Sequence, residues 1–312
     1  MIELFADAAG IVLRRDVVAA LGDDKALIRA LHNGSVLRLR QGAYVLTAIW
    51  QAAARTERHG LLSHAVQRQY GDHVALSHVS AHLEMGGPDW GLDLTDAHVT
   101  HLDGRGGRRR SAKVVHHHGM CVVDDVTRTA DGWMTAPTRT ALDTASIAAR
   151  DPAVAVLDWH LNQELTTLDQ LQRGFERMTC WPNTLHLQMA LRLTDPLSES
   201  VAESRARLLF REQGIPRPES QFRVLHPSGR LAGRVDFAWP DRKAMCEVDG
   251  LVKYLGRRRP GETIEQTVIR EKRREDLLRE LTGWTMIRLI WADLDVPRST
   301  GARMRQFLRI AA

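Results

Sequence analysis

Three cysteines in 312 residues, Cys121, Cys180 and Cys246, form no CxxC pair, which argues against a zinc ribbon and against a disulfide framework. A reducing compartment fits that usage. Long apolar runs are missing too, since no stretch approaches the roughly 18 residues of a membrane span. The opening MIELFADAAG is too acidic, and its apolar run too short, for a signal peptide. A cytoplasmic protein without membrane contact is expected. Nor does either sign of charge dominate: 43 Lys+Arg against 38 Asp+Glu leave +5, which favours a polyanionic partner without proving one. What is present is apolar mass. A hydrophobic content of 44% over this length supports two or three packed units.

Residues 1 to 46 read as three short helices and a hairpin, with apolar residues at helical spacing between turn signals. Ile2, Leu4 and Phe5 mark a first helix ending at Gly10, and Arg15 to Leu21 a second, stopped by Gly22. Asp23 or Asp24 is placed to cap a third helix with Ala26, Leu27, Ala30 and Leu31 on its apolar face. Val36, Leu37, Leu39 and Ala43, Tyr44, Val45 flank Gln41-Gly42, a tight-turn pair. This order is that of a winged helix, in which the third helix enters the major groove and the hairpin meets phosphate or minor groove. Arg29 is then the base-side candidate, and Arg38 and Arg40 are the wing contacts. A small helical subdomain with surface arginines is the competing reading.

Between 47 and 180 helices are expected over Gly60 to Tyr70, Ala75 to Leu83, Pro137 to Ala149, Pro152 to Leu161 and Thr167 to Phe175. Strands are expected at His98 to Thr100 and Lys113 to His117. The basic, glycine-bearing loop Gly104 to Arg110 reads as a solvated hairpin tip before it reads as a phosphate grip. His116-His117-His118 is read as structural, because neighbours in a strand alternate faces and at most two could share an ion.

The run from Gly10 through Tyr44, LSHVSAH at 76 to 82 and TAPTRTALDTA at 135 to 145 resemble the AbiEi-type antitoxin and transcriptional regulator family. The resemblance covers about residues 1 to 175. It implies a winged helix followed by a mixed α/β domain, operator DNA as ligand, and a cognate nucleotidyltransferase-like toxin as a partner.

Composition shifts between Cys180 and Ser200, where a boundary is placed. Beyond it a helix from Val201 to Gln213, three strands (Gln221 to His226, Arg230 to Ala238, Lys243 to Val248), a long helix with Ile264, Val268, Leu277, Leu278 and Leu281 closed by Gly283, and a strand Thr285 to Trp291 are expected. Asp236 falls on the second strand. Glu247 and Asp249, two apart on the third, share a face, and Glu203 is placed to approach from the first helix. Carboxylates set among apolar neighbours are costly unless paired or metal-bound, and such a cluster suits Mg²⁺ or Mn²⁺, which activate water and stabilise charge on phosphate. A strand end and a polar turn are the bland alternative.

AESRARLLFREQGIPRPESQ at 202 to 221, GRVDFAWP at 233 to 240, CEVDG at 246 to 250 and EKRREDLLRELTGWTMIRLIWADL at 271 to 294 resemble the PD-(D/E)XK nuclease superfamily, within it the Vsr-like very-short-patch-repair group. The resemblance implies a restriction-endonuclease-like αβββαβ core over about 195 to 312. It makes Asp236 and Glu247 metal ligands, Glu203 an accessory acid and Asp249 a further acid of the site. The superfamily's lysine two residues after the glutamate is here Asp249, so Lys253 or Lys272 would have to supply its charge. Arg273 and Arg274, and the loop Arg257-Arg258-Arg259, are the phosphate-contact candidates. Trp284 and Trp291 read as core residues.

The expected whole is thus α/β (α+β overall) in three parts: 1–50 winged helix, 51–180 α/β domain, 195–312 nuclease-like domain. Two functions compete. One is a Mg²⁺-dependent DNA endonuclease; the other is an antitoxin-like regulator, possible as a homodimer, that binds DNA without cutting it.

Overall fold

The computed structural model describes residues 2–102, 110–119, 121–178, 181–249 and 263–310. It is a mixed α/β protein, with three sheets among the described residues, dividing into two compact units, 1–190 and 191–312. None of the described helices is long and apolar enough to cross a membrane.

The first unit opens with a 3-10 turn Ile2–Phe5 instead of the expected helix to Gly10. Ile11–Leu13 then forms strand β1, which sequence periodicity missed because three consecutive apolar residues fit no repeat. Helices α1 (Arg14–Leu21) and α2 (Lys25–His32) come next, then the hairpin β2 (Val36–Arg40) and β3 (Ala43–Leu46). Gly42 takes the positive φ of 77° that the hairpin turn needs, as its sequence pair suggested. Asp24 stands at the start of α2 without capping it, because its carboxylate holds Arg14 Nε at 2.7 Å.

β1, β3 and β2 make an antiparallel sheet in that order. One side packs Val12, Val17, Leu27, Ala30, Val36 and Tyr44 together. The other side sends Ile11, Leu13, Leu39, Ala43 and Val45 into a core shared with Leu62, Val66, Val74, Leu76 and Val99. Residues 1–50 therefore share their core with residues 62–99, and the expected division at 50 falls inside one unit.

Next come α3 (Thr47–Ala52) and α4 (Arg55–Tyr70), then β4 (Val74–Leu76) and α5 (His78–Glu84). The helix expected over Ala75 to Leu83 is thus a strand and a shorter helix. Val74, Ala75 and Leu76 are wholly buried, and a short apolar run of this kind suits either state by pattern. β5 (Ala97–His101), β6 (Arg110–Ser111), β7 (Val114–His117), β8 (Val126–Arg128) and β9 (Trp133–Thr135) complete a mixed sheet of order β6-β7-β5-β4-β9-β8. Helices α6 (Pro137–Ile147), α7 (Arg150–Asn162), α8 (Leu168–Glu176) and α9 (Thr184–Leu191) close the unit.

In the second unit, α10 (Val201–Glu212) leads into β10 (Glu219–Leu225), β11 (Leu231–Trp239) and β12 (Ala244–Asp249), then α11 (Ile264–Thr282), β13 (Thr285–Ile290), α12 (Trp291–Leu294) and α13 (Pro297–Phe307). The sheet order is β10-β11-β12-β13, antiparallel except for the parallel pair β12–β13. Gly283, with φ 66°, ends α11. Period-2 alternation sorts β12 between two cores: Cys246 and Val248 pack with Phe210 of α10 and Met304 of α13, whereas Met245 packs with Leu278 of α11. Glu247 and Asp249 share the Met245 face, under α11.

Candidate functional site

The acids of the second unit meet two arginines. The antiparallel register of β11 and β12 begins at Phe237↔Cys246, so Asp236 and Glu247 each lie one residue beyond the last pair. Asp236 Oδ2 there accepts the Val248 N–H at 2.7 Å, so this carboxylate does the work of a main-chain acceptor where the strands part. Parallel pairing of β12 with β13 puts Glu247 beside Arg288. The Arg288 guanidinium reaches Glu247 Oε2 at 2.9 Å, Asp249 Oδ2 at 3.0 Å and Glu275 Oε2 at 3.2 Å. Arg274, on the sheet-facing side of α11 one turn from Leu278, donates to the other Glu247 oxygen and to the Arg234 carbonyl. Glu247 and Asp249 are only 3% and 5% exposed, so these bonds are what makes their burial tolerable.

Glu203 has a different task. At the third position of α10 it accepts from Ser200 Oγ and the Glu199 N–H, both at 2.9 Å, and from Gln221 Nε2 at 2.8 Å. It closes the helix start, a reciprocal cap with Ser200. Among the described residues no group of three or more His, Cys, Asp or Glu side chains is arranged to hold a metal ion. Among the described residues Glu203 thus serves the start of α10, Asp236 accepts a main-chain N–H, and Glu247 pairs with Arg274 and Arg288. Lys272 and Arg273 are exposed on the side of α11 opposite Leu278, which takes Lys272 away from the acids. Lys253 and Arg257-Arg258-Arg259 lie outside the described residues. Sequence reading missed Arg288. Its signal was an isolated arginine inside the apolar strand Thr285–Ile290, where a charge implies a buried partner.

In the first unit, α2 leaves Lys25, Ile28, Arg29 and His32 exposed, one stripe at i, i+3, i+4 and i+7. Arg38 of β2 is also exposed. Arg40 is not the projecting wing residue expected. A bulge between Arg38 and Arg40 turns it inward, where it bonds Gln69 and the Ala112 carbonyl (3.2 Å) and covers the Tyr70 ring at 5.6 Å.

A second polar concentration lies behind the six-stranded sheet. His98 and His117, on one face of neighbouring strands, approach at 3.0 Å between ring nitrogens; His101 and His116, on the other face, at 2.9 Å. His116 and His117 thus part to opposite faces, as strand alternation requires. His118 stacks on His101, and His78 lies over His117 at 3.4 Å between centroids. Burial pushes His98 down to about 4 and His117 to about 3, with neighbouring imidazoles adding to it. A cavity of about 540 Å³ opens here, lined by His78, Thr100, His117, Arg139 and Trp181. Arg139 is clamped by Asp143 at 2.8 Å and Asp125 at 2.9 Å, with Trp181 under its guanidinium. Complete burial lifts the Asp143 carboxyl to about 6 despite that partner. Of the basic loop expected at Gly104 to Arg110 only Arg110 is described, and it pairs with Asp96.

No protein-family profile matches the chain. It is similar to Uncharacterized protein MT2308 of Mycobacterium tuberculosis (strain CDC 1551 / Oshkosh) and Uncharacterized protein Rv2248 of Mycobacterium tuberculosis (strain ATCC 25618 / H37Rv), each 28% identical over 262 residues. The match covers 84% of this chain and 88% of each relative. Because 262 exceeds the 190 residues of the first unit, the similarity runs through both.

Proposed function

We propose that this chain is a DNA-binding protein that reads duplex DNA with α2 and the β2–β3 hairpin, in the manner of an AbiEi-like transcriptional regulator, without cutting the DNA. The observation that carries the reading is the element order 3-10 turn, β1, α1, α2, β2, β3 with sheet order β1-β3-β2, which suits a winged helix. The exposed stripe Lys25, Ile28, Arg29, His32 supports it by giving α2 a cationic outer face suited to a groove. The resemblance to antitoxin regulators adds a nucleotidyltransferase-like toxin as protein partner, and a palindromic operator would call for a homodimer. The non-cleaving part of the proposal rests on Arg274 and Arg288, which already neutralise the acids that a nuclease would give to its metal.

A gel-shift titration on duplex DNA at several salt concentrations tests it: binding with a steep loss of affinity on added salt is expected. Absence of duplex affinity at low salt would sink the proposal.

One observation favours cleavage as a second reading. Asp236 and Glu247 each lie one residue beyond the last β11–β12 pair, Phe237↔Cys246, and these are the two acids on which the Vsr-like resemblance depends. As they stand these residues do not fit Mg²⁺, since both Glu247 oxygens and Asp249 hold guanidinium groups. Incubation of the purified protein with plasmid and oligonucleotides in Mg²⁺, Mn²⁺ or EDTA separates the readings, and metal-dependent nicking would restore the endonuclease.

A further inference from the structure

We infer that the second unit contains a divalent-cation site filled by arginine: the Arg288 guanidinium, seconded by Arg274, brings Glu247 and Asp249 the positive charge that a metal would bring, and the wild-type centre is metal-independent for that reason.

Three relationships lead there. Geometry comes first. Arg288 spans Glu247 and Asp249 with separate nitrogens, at 2.9 and 3.0 Å, from the adjacent parallel strand in matched register. Its planar fork therefore sits where an ion bridging the two carboxylates would sit, and rigid strand pairing holds it there, with no long loop involved. The chain departs from the nuclease pattern at this same point: the lysine expected two residues after the glutamate is Asp249, which leaves an extra acid needing a cation. Arg288 supplies it from the neighbouring strand.

The second relationship is charge balance. Glu247, Asp249 and Glu275 face Arg288, Arg274 and, on Glu275, Arg279 at 2.7 Å. Among the described residues each of these three acids thus holds at least one guanidinium, Glu271 shares Arg274 at 3.8 Å, and the nearby Asp236 turns its Oδ2 to the Val248 N–H. A hard dication is drawn to carboxylates without a cation, and Glu247 and Asp249 already hold theirs.

The third is desolvation. Glu247 and Asp249 are almost fully buried. Guanidinium is weakly hydrated and enters such a place readily, whereas Mg²⁺ dehydrates reluctantly and keeps several waters. To bind, a metal would have to break the Arg288 fork and carry its waters in to two almost fully buried carboxylates. Removing the charge on Arg288 reverses the balance: Asp249 loses its guanidinium and Glu247 one of its two, and a divalent ion is the natural replacement.

The test uses the full chain and Mn²⁺ as probe. Thermal unfolding is followed with Mn²⁺ from zero to millimolar, alongside calorimetric titration and with EDTA as control. Wild type is expected to show no Mn²⁺-dependent shift. Arg288→Met is expected to melt lower than wild type without metal and to regain part of the loss as Mn²⁺ rises, by the mass action of an ion that binds only the folded state. Adding Glu247→Gln to Arg288→Met should abolish that response, and Arg279→Met, on the outer partner of Glu275, should show none.

A wild-type shift with Mn²⁺ that Glu247→Gln removes would overturn the inference, as would a folded Arg288→Met that ignores Mn²⁺. Should Arg288→Met fail to fold, Arg274→Met, which frees one Glu247 oxygen from a partly exposed partner, takes its place with the same expected gain, and its failure to respond counts equally against the idea. Resting as the inference does on the non-cleaving reading of this unit, plasmid nicking by the same preparations reports separately on that reading, and gel shift on DNA binding.

Discussion

His98 Nδ1 lies 3.0 Å from His117 Nε2 across neighbouring parallel strands, within hydrogen-bond reach. Burial first, and the neighbouring imidazoles after it, oppose charging of either ring. A similar pair, His82 and His160 at 3.1 Å, is pushed by burial to about 4 and about 3.

These histidines make the first unit acid-sensitive. Unfolded, each titrates near 6.5; folded, His98 and His82 wait until about 4, and His117 and His160 until about 3. The unfolded chain thus binds more protons between these values, so the stability these groups contribute is present above 6.5 and drains away as pH falls toward 4. Each tenfold change in proton affinity is worth about 1.4 kcal/mol, large against a total of roughly 5–15 kcal/mol. The thermal midpoint of the first unit should fall steeply from pH 6.5 to 4. A flat profile across that range would show the rings to be solvated.

On DNA, Arg38→Ala is expected to weaken binding to all sequences and to lower the salt slope by about one. Arg29→Ala should instead cost about 1–3 kcal/mol at one base position and relax selectivity there. Arg40→Ala should lower the thermal midpoint without altering the slope, because its guanidinium is committed to Gln69, Ala112 and Tyr70. Competition gel shifts over a salt series measure all three, and an Arg40→Ala slope reduced like that of Arg38→Ala would contradict the inward placement.

Glu203→Ala strands the Ser200 hydroxyl, the Glu199 N–H and the Gln221 amide. A loss of about 1–3 kcal/mol per buried donor left unmet is expected in denaturant unfolding. Glu203→Gln, which keeps an acceptor oxygen, should lose less. Equal losses would mean that the negative charge matters at this position and not the cap alone.

Arg139→Met leaves Asp125 and Asp143 without their shared cation, and a loss of about 3–5 kcal/mol is expected. Asp143 already holds its proton to about 6, so the variant should suffer less at pH 5 than at pH 8, where an unpaired charge would stay buried. Adding Asp143→Asn should recover part of the pH 8 loss. Unfolding curves at the two pH values decide, and a loss independent of pH would place the damage in packing over Trp181.

Most helices of the first unit were legible because Pro137, Thr167 and the i, i+3, i+4 apolar spacing mark them locally, and the hairpin was legible in Gln41-Gly42. β1 and β4 were not. Ile11-Val12-Leu13 and Val74-Ala75-Leu76 carry no period, and only pairing with β3, and with β5 and β9, makes them strands. In the second unit the strands, α11 and its glycine stop were all readable, as was the shared face of Glu247 and Asp249.

The sequence by itself determined which residues alternate and which recur each helical turn, and hence where Asp236, Glu247 and Asp249 fall along their strands. That information is local, set by the two-residue and 3.6-residue periods of the backbone. What the acids would meet was decided only by tertiary structure. The parallel register that brings Arg288 to Glu247, the turn of α11 that lowers Arg274 onto it, and the bulge that withdraws Arg40 each join residues far apart in the chain. The same carboxylates serve a metal or an arginine according to which cation the fold delivers, and no spacing within β12 encodes that choice.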